Sequence, residues 1–383
     1  MRRYAMSEHG QAPMLIVVLA LGISACAEPA RENDSGPNAP TGIRFLAAGE
    51  AGGFERALAP RSFSFPEDHG SHLGFRTEWW YFTGNLFTAA RRHFGFELTV
   101  FRLALQPFAT ERASAWGTNQ IWLGHFALTD TGEGRFFAAE RMSRGALDLA
   151  GARTSPLRVW VEDWFIEGDF TGPTASLLLR AQTAEAGIDL ELRGLERIVL
   201  QGEQGLDQKG VERGNASYYY SAPRLAATGN VSVGGFSHAT SGLAWMDREW
   251  GTSALSPGVA GWDWFALQLD DGRDLMFYRL RREDGTATEF SGGSLTDGSG
   301  MARRLTAADV ELEITERWRS PASDVTYPVA WLMRIPSEDL QLRIRPRLVD
   351  QEVRLSVRYW EGAVEVSGRD GLSGVGYLEL AGY

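Results

Sequence analysis

Carboxylates and indoles are concentrated in two short segments of this chain. One reads Asp247-Arg248-Glu249-Trp250, the other Trp262-Asp263-Trp264. A carboxylic acid kept neutral by burial can donate a proton, because desolvation raises its pKa. Aromatic faces can stabilise the carbocation that follows. With a water held on the correct face, these residue types suffice to hydrate an isolated alkene, and the chemistry needs no cofactor. Asp247 and Asp263 are then the candidate acids. Trp250 and Trp262 are the indoles beside the cation, with Arg248, Glu249 and Trp264 around them. A structural alternative stays open: Asp247, Arg248 and Glu249 as a buried ion-pair network at a strand crossing, the tryptophans as core.

A third segment, Glu78-Trp79-Trp80-Tyr81, follows His69 and His72. On a strand, Trp79 and Tyr81 face one way and Glu78 and Trp80 the other. The four residues suit a pocket wall with an acid in it. They equally suit a strand that closes a barrel, with Glu78 bound to an arginine such as Arg76 or Arg102. Tyr278, in the apolar run after the Trp262 segment, joins the candidate ligand-binding residues. His69 and His72 have no clear third partner beyond His125, so no metal site is expected. His238 lies beside Ser237 without a triad pattern, and there is neither a Gly-x-Ser-x-Gly elbow nor a phosphate loop.

The elements that must position these residues read as strands. Ile188, Leu190 and Leu192 alternate with polar residues, as do Val310, Leu312 and Ile314, and Leu340, Leu342 and Ile344. That period of two marks half-buried antiparallel strands. Asp271-Gly272, Asp284-Gly285, Asp297-Gly298 and Asp370-Gly371 are hairpin turns. Trp79-Trp80-Tyr81-Phe82 can be laid on Trp262-Asp263-Trp264-Phe265 at an offset of 183 residues. This weak repeat suggests two tandem copies of one β-architecture; the plainer alternative is two unrelated aromatic strands. The expected fold class is all-β, with a closed barrel able to hold one small ligand.

The N-terminus reads as a targeting segment. Arg2 and Arg3 precede a short apolar run, Leu15 to Ala25, that ends in Ile23-Ser24-Ala25-Cys26. At about a dozen residues the run is too short for a mature membrane span. Small residues before a lone cysteine resemble a lipoprotein cleavage site, with Cys26 lipidated; an ordinary secretory signal is the alternative. Ala27 is compatible with outer-membrane sorting, so the expected place is the periplasm-facing cell envelope. Residues 26–54 would be the anchor and tether, 55–234 the first domain and 235–383 the second. Without residues 1–25 the chain carries 36 basic and 48 acidic residues, a net charge near −12. That balance argues against nucleic acid as a partner.

The stretch His69 to Leu86, with Glu-Trp-Trp-Tyr-Phe-Thr-Gly inside it, resembles a hallmark of the AttH-like and hydroxyneurosporene synthase (carotenoid 1,2-hydratase) family. Met246 to Gly251 and Gly261 to Trp264 resemble two further hallmarks, and Tyr359 to Val364 and Gly376 to Leu380 its closing strands. The resemblance covers residues 55–383. It implies two tandem lipocalin-like antiparallel β-barrels. It also implies that some members hydrate acyclic carotenoids, while others are lipoproteins or accessory proteins of ATP-driven (ABC-type) transporters. The hydratase branch uses a histidine and a tryptophan near the second hallmark, with a tyrosine and an aspartate further on. Here Trp250 matches the tryptophan, Arg248 stands at the histidine's place, and Asp263 is the candidate aspartate. Arg248 cannot release a proton near neutral pH.

The expectation is therefore a membrane-anchored lipoprotein that binds an extended apolar molecule, such as a lipid, isoprenoid or polyene, in a barrel or between barrels. A hydratase acting on an isoprenoid double bond is the second reading, and a non-catalytic partner of a transporter the third.

Overall fold

The computed structural model describes residues 52–108, 113–170, 175–252 and 255–383. The expected signal segment and Cys26 lie outside them. Among the described residues, thirteen strands form one sheet and ten a second, with one single-turn helix before the first strand and two between later strands. The first sheet curls into a nearly closed barrel and the second into a half-barrel, the tandem lipocalin-like arrangement.

The two halves are built alike. In the first, Thr77–Phe87 is flanked by its hairpin partner His93–Ala104 and by Phe236–Gly251. In the second, Val259–Leu269 is flanked by its hairpin partner Asp274–Arg282 and by Ser373–Ala381. Trp79 and Trp262 therefore both lie on the central strand of such a triplet. The strands Ala186–Arg193, Glu311–Arg319 and Leu340–Pro346 fall on the three runs of alternating residues.

The domain boundary expected near residue 235 falls at a turn within the first sheet. Ala216–Val233 and Phe236–Gly251 form one long hairpin of the first sheet, and the chain enters the second sheet only at Val259. The Gly-rich interruption is the hairpin turn itself: Gly234 and Gly235 have φ of 58° and 84°. Two consecutive residues with positive φ match the right-handed twist of the flanking strands, which favours glycine at both.

Alternation sorts every strand into two faces. Even-numbered residues of Thr77–Phe87 (Trp80, Phe82, Leu86) fill the first barrel with Leu98, Trp122, Phe126 and Trp164. Odd-numbered residues of Val259–Leu269 (Phe265, Leu267, Leu269) fill the second with Trp331, Trp360 and Leu378. The remaining faces meet back to back. Tyr81, Tyr219 and Trp245 of the first sheet pack there on Trp264, Met276, Tyr278 and Tyr377 of the second. Gly95 makes that approach possible, since a Cβ on it would lie 2.6 Å from the Ala363 Cβ.

Candidate active site

Between the barrels lies a cavity of about 220 Å³. Its walls are aromatic: Trp79, Tyr81, Phe101, Tyr219, Trp262, Trp264, Tyr278 and Tyr359. Asp247, Glu249, Glu361, Glu379, Lys209 and His125 supply the polar groups. A 150 Å³ cavity is known to hold a benzene ring, so this one accepts a ring-sized part of a larger molecule. Half-buried Leu255 and Val357 are among its lining residues.

Strand register assembles the polar groups into rows. Ser221 pairs with Asp247, Asp247 with Tyr81, Tyr81 with Thr99, Thr99 with His125, and His125 with Glu140. Six adjacent strands thus present one residue each along a line. The second sheet opposes it with Glu361, Glu379, Trp264 and Tyr278, likewise paired one to the next. A slip of one residue in any strand would turn its contribution into a barrel interior.

Asp247 is 3 % exposed. Its Oδ1 accepts hydrogen bonds from the Ser221 hydroxyl (2.5 Å) and the Trp245 indole (2.7 Å), and its Oδ2 from the Tyr219 hydroxyl. Burial pushes the carboxyl up to about 7, outweighing the three donors. Tyr219 in turn accepts a bond from the Trp264 indole at 3.2 Å. Glu379, held by the Trp262 indole at 2.8 Å, is also raised by burial to about 7. Burial and the neighbouring Glu97 and Glu379 push Glu361 well above the usual carboxylate range. The Tyr81 hydroxyl donates to it at 2.6 Å. Glu97, behind the cavity lining, has no hydrogen bond to either oxygen and is raised to about 8, mainly by burial. Lys209 differs. Burial alone would lower it, but Asp207 at 2.5 Å and Glu249 at 3.4 Å hold it protonated well above its ordinary range.

The structure divides the sequence candidates by face. Trp79, Tyr81, Asp247, Glu249, Trp262, Trp264 and Tyr278 line the cavity. Glu78, Trp80, Arg248 and Trp250 do not, because each sits one residue out of phase and points into the first barrel. Glu78 lies between Arg102 and Arg248 and takes the His72 backbone N–H. Burial would raise its pKa, yet the two guanidinium groups hold it well below the carboxylate range. Arg248 stacks on Trp80 at 3.8 Å, and Trp250 lies flat on His72 at 3.7 Å. Of the arginines expected beside Glu78, Arg102 binds it, and Arg248 joins from the neighbouring strand. Asp263 is likewise removed from the cavity. It points into the second barrel and binds Arg279 (2.6 Å) and the Tyr383 hydroxyl (2.5 Å). Asp263 and Trp250, expected among the catalytic residues, therefore both lie in barrel interiors.

The sequence reading missed Lys209, Tyr219, Tyr359, Glu361 and Glu379, and weighed His125 only as a metal ligand. A signal existed. Tyr359-Trp360-Glu361 and Tyr377-Leu378-Glu379 alternate as Asp247-Arg248-Glu249-Trp250 does, with the acid on the face opposite the apolar residue.

Two back-to-back lipocalin-like barrels enclosing a cavity of carboxyl groups and aromatic rings define a class of protein. The chain belongs to the AttH-like family, whose sequence profile matches residues 56–383. The structure of an AttH-type protein of Nitrosomonas europaea is 34 % identical, with a TM-score of 0.75 over 85 % of this chain and all of that one. Kievitone hydratase of Nectria haematococca has the same fold at 15 % identity, with a TM-score of 0.62 over 90 % of this chain and 98 % of that one. In sequence, kievitone hydratase of Fusarium solani subsp. phaseoli is 22 % identical over 43 % of this chain and 46 % of its own length. Dehydratase asqC of Emericella nidulans is 22 % identical over 45 % and 50 %. The matched segments span about half the length of these two relatives.

Proposed function

We propose that this chain binds an extended apolar molecule between its barrels and adds water to, or removes it from, the segment held there. One observation carries the reading: Asp247, at the base of an aromatic-walled cavity, keeps its proton to about pH 7. A group with that pKa is both a usable acid and a usable base at neutral pH. The sequence relatives named as a hydratase and a dehydratase support the same reaction class.

In the hydration direction Asp247 gives its proton to one alkene carbon, and the π electrons form the new C–H bond. The cation left on the other carbon faces the rings of Tyr219, Trp262 and Trp264. Water bonds to that carbon and sheds a proton to a base in the cavity. Dehydration runs the same steps in reverse. Tyr219 keeps Asp247 oriented through its hydroxyl.

The test incubates the purified chain in ¹⁸O-water with lycopene, neurosporene and shorter trisubstituted isoprenoids, and with the matching tertiary alcohols for dehydration. Products carrying ¹⁸O, or alkenes from the alcohols, are expected. Asp247→Asn should lower turnover at least about 100-fold while still quenching its tryptophans on substrate binding. Absence of turnover and of quenching across the whole panel would refute the proposal.

A further inference from the structure

The proposed reaction needs a group to receive the proton that water sheds, and a route that carries it out past an apolar ligand. When water adds to the face opposite the one Asp247 protonates, Asp247 cannot be the receiver as well. The row of paired residues ends, three strands away, at a second set of titratable groups. At about 4.8 Å per strand this is roughly 14 Å along the sheet, enough to leave substrate and water between the two.

That set is His125, Glu140 and Tyr359. The His125 ring is 2 % exposed and fully engaged. Its Nε2 lies 3.1 Å from Glu140 Oε2 and its Nδ1 2.8 Å from the Tyr359 hydroxyl. Glu140 also accepts the Ser356 backbone N–H at 3.2 Å and the Ser356 hydroxyl. Its own carboxyl is held below the usual range, first by the His125 bond. An ionised carboxylate only accepts, so Nε2 carries a proton, and a singly protonated ring leaves Nδ1 to accept the Tyr359 O–H. Phe101 packs edge-on against the ring at 5.5 Å and fixes its plane. Tyr359 and His125 both line the cavity, whereas Glu140 retains 20 % side-chain exposure. The three residues come from both barrels: His125 and Glu140 from adjacent strands of the first sheet, Tyr359 from the second.

We propose that Tyr359 is a catalytic residue of the hydration, the group that takes the proton shed by the attacking water, and that His125 and Glu140 are positioning residues acting through it. As the water oxygen bonds to the cationic carbon, one of its protons moves to the Tyr359 oxygen. The proton already on Tyr359 moves to His125 Nδ1. Glu140 balances the imidazolium and releases the proton at the solvent-exposed rim, while Asp247 regains one from solvent between turnovers. The arrangement has the logic of a nucleophile–imidazole–carboxylate triad, with water as the group activated.

This inference rests on the hydration reading, and two measurements separate them. Nitrogen-15 spectra of the full chain labelled at histidine report the His125 tautomer without any substrate. A proton on Nε2 and a bare, hydrogen-bonded Nδ1 near neutral pH are expected, with Nδ1 losing that bond in Tyr359→Phe. A proton on Nδ1, or an imidazolium, would overturn the relay. On whichever alkene shows ¹⁸O uptake, Tyr359→Phe should lower kcat about 100-fold with KM little changed, and His125→Gln should follow it. Wild-type kcat in both variants, with Asp247→Asn inactive, would remove the relay and leave the proposed function standing. If no alkene is turned over, the hydration reading fails and the tautomer alone decides the arrangement.

Discussion

At the scale of single residues, neighbours in sequence have opposite fates. Asp247 and Glu249 face a cavity, while Arg248 and Trp250 between and beside them are barrel interior. Substitutions should divide along the same line. Asp263→Asn strips the buried partner from Arg279 and should destabilise the chain by about 3 kcal/mol without altering probe binding, as urea unfolding and fluorescence would measure. Glu78→Gln leaves two buried guanidinium groups short of their counter-charge and should destabilise by about 3–5 kcal/mol. A urea midpoint unchanged in either variant would contradict the interior assignment.

At the scale of elements, the period-two pattern was legible wherever one face is polar, as at Ile188 to Leu192 and Leu340 to Ile344. The sorting of Trp79 and Tyr81 from Glu78 and Trp80 followed from alternation alone. Which face meets which partner was not legible. It depends on strand register across hundreds of residues, so nothing local distinguishes Asp263, inside a barrel, from Asp247, outside one. The Gly234-Gly235 turn reads as a boundary in sequence because a linker and a tight hairpin draw on the same residue type. Gly95 offers a test of the back-to-back approach. Gly95→Leu would drive the His93–Ala104 and Arg358–Ser367 strands apart. It should lower stability by about 1–3 kcal/mol and weaken quenching by the isoprenoid probes. A well-folded variant with wild-type binding would show that this contact does not set the cavity's width.

At the scale of the whole molecule, buried acids make stability depend on pH. Asp247 and Glu379 hold their protons to about pH 7, and Glu97 to about pH 8, whereas the ordinary values are 3.8 and 4.5. Below about pH 4 both folded and unfolded chains keep these protons. Above it the unfolded chain releases protons that the folded chain retains, so stability falls as pH rises, until the folded groups also ionise. His69 and His93, which burial keeps neutral down to about pH 3, act in the opposite sense below about pH 6.5. The decline should therefore be cleanest between pH 7 and 8, where calorimetry should show Tm dropping; a rising Tm there would count against the buried acids. For the N-terminal reading, Cys26→Ser should move the protein from the membrane to the soluble fraction of cells.

The cleft owes half of its walls to each copy of one repeated unit, and neither copy encloses anything on its outer face alone. Duplicating a gene for a single such barrel, and pairing the products back to back, would create a symmetric chamber at a stroke. Joining the two in one chain then frees each wall to diverge: Asp247 with its three donors on one side, Glu361 and Glu379 on the other. Chemistry that demands unlike groups facing each other is thereby open to a chain built from two similar parts.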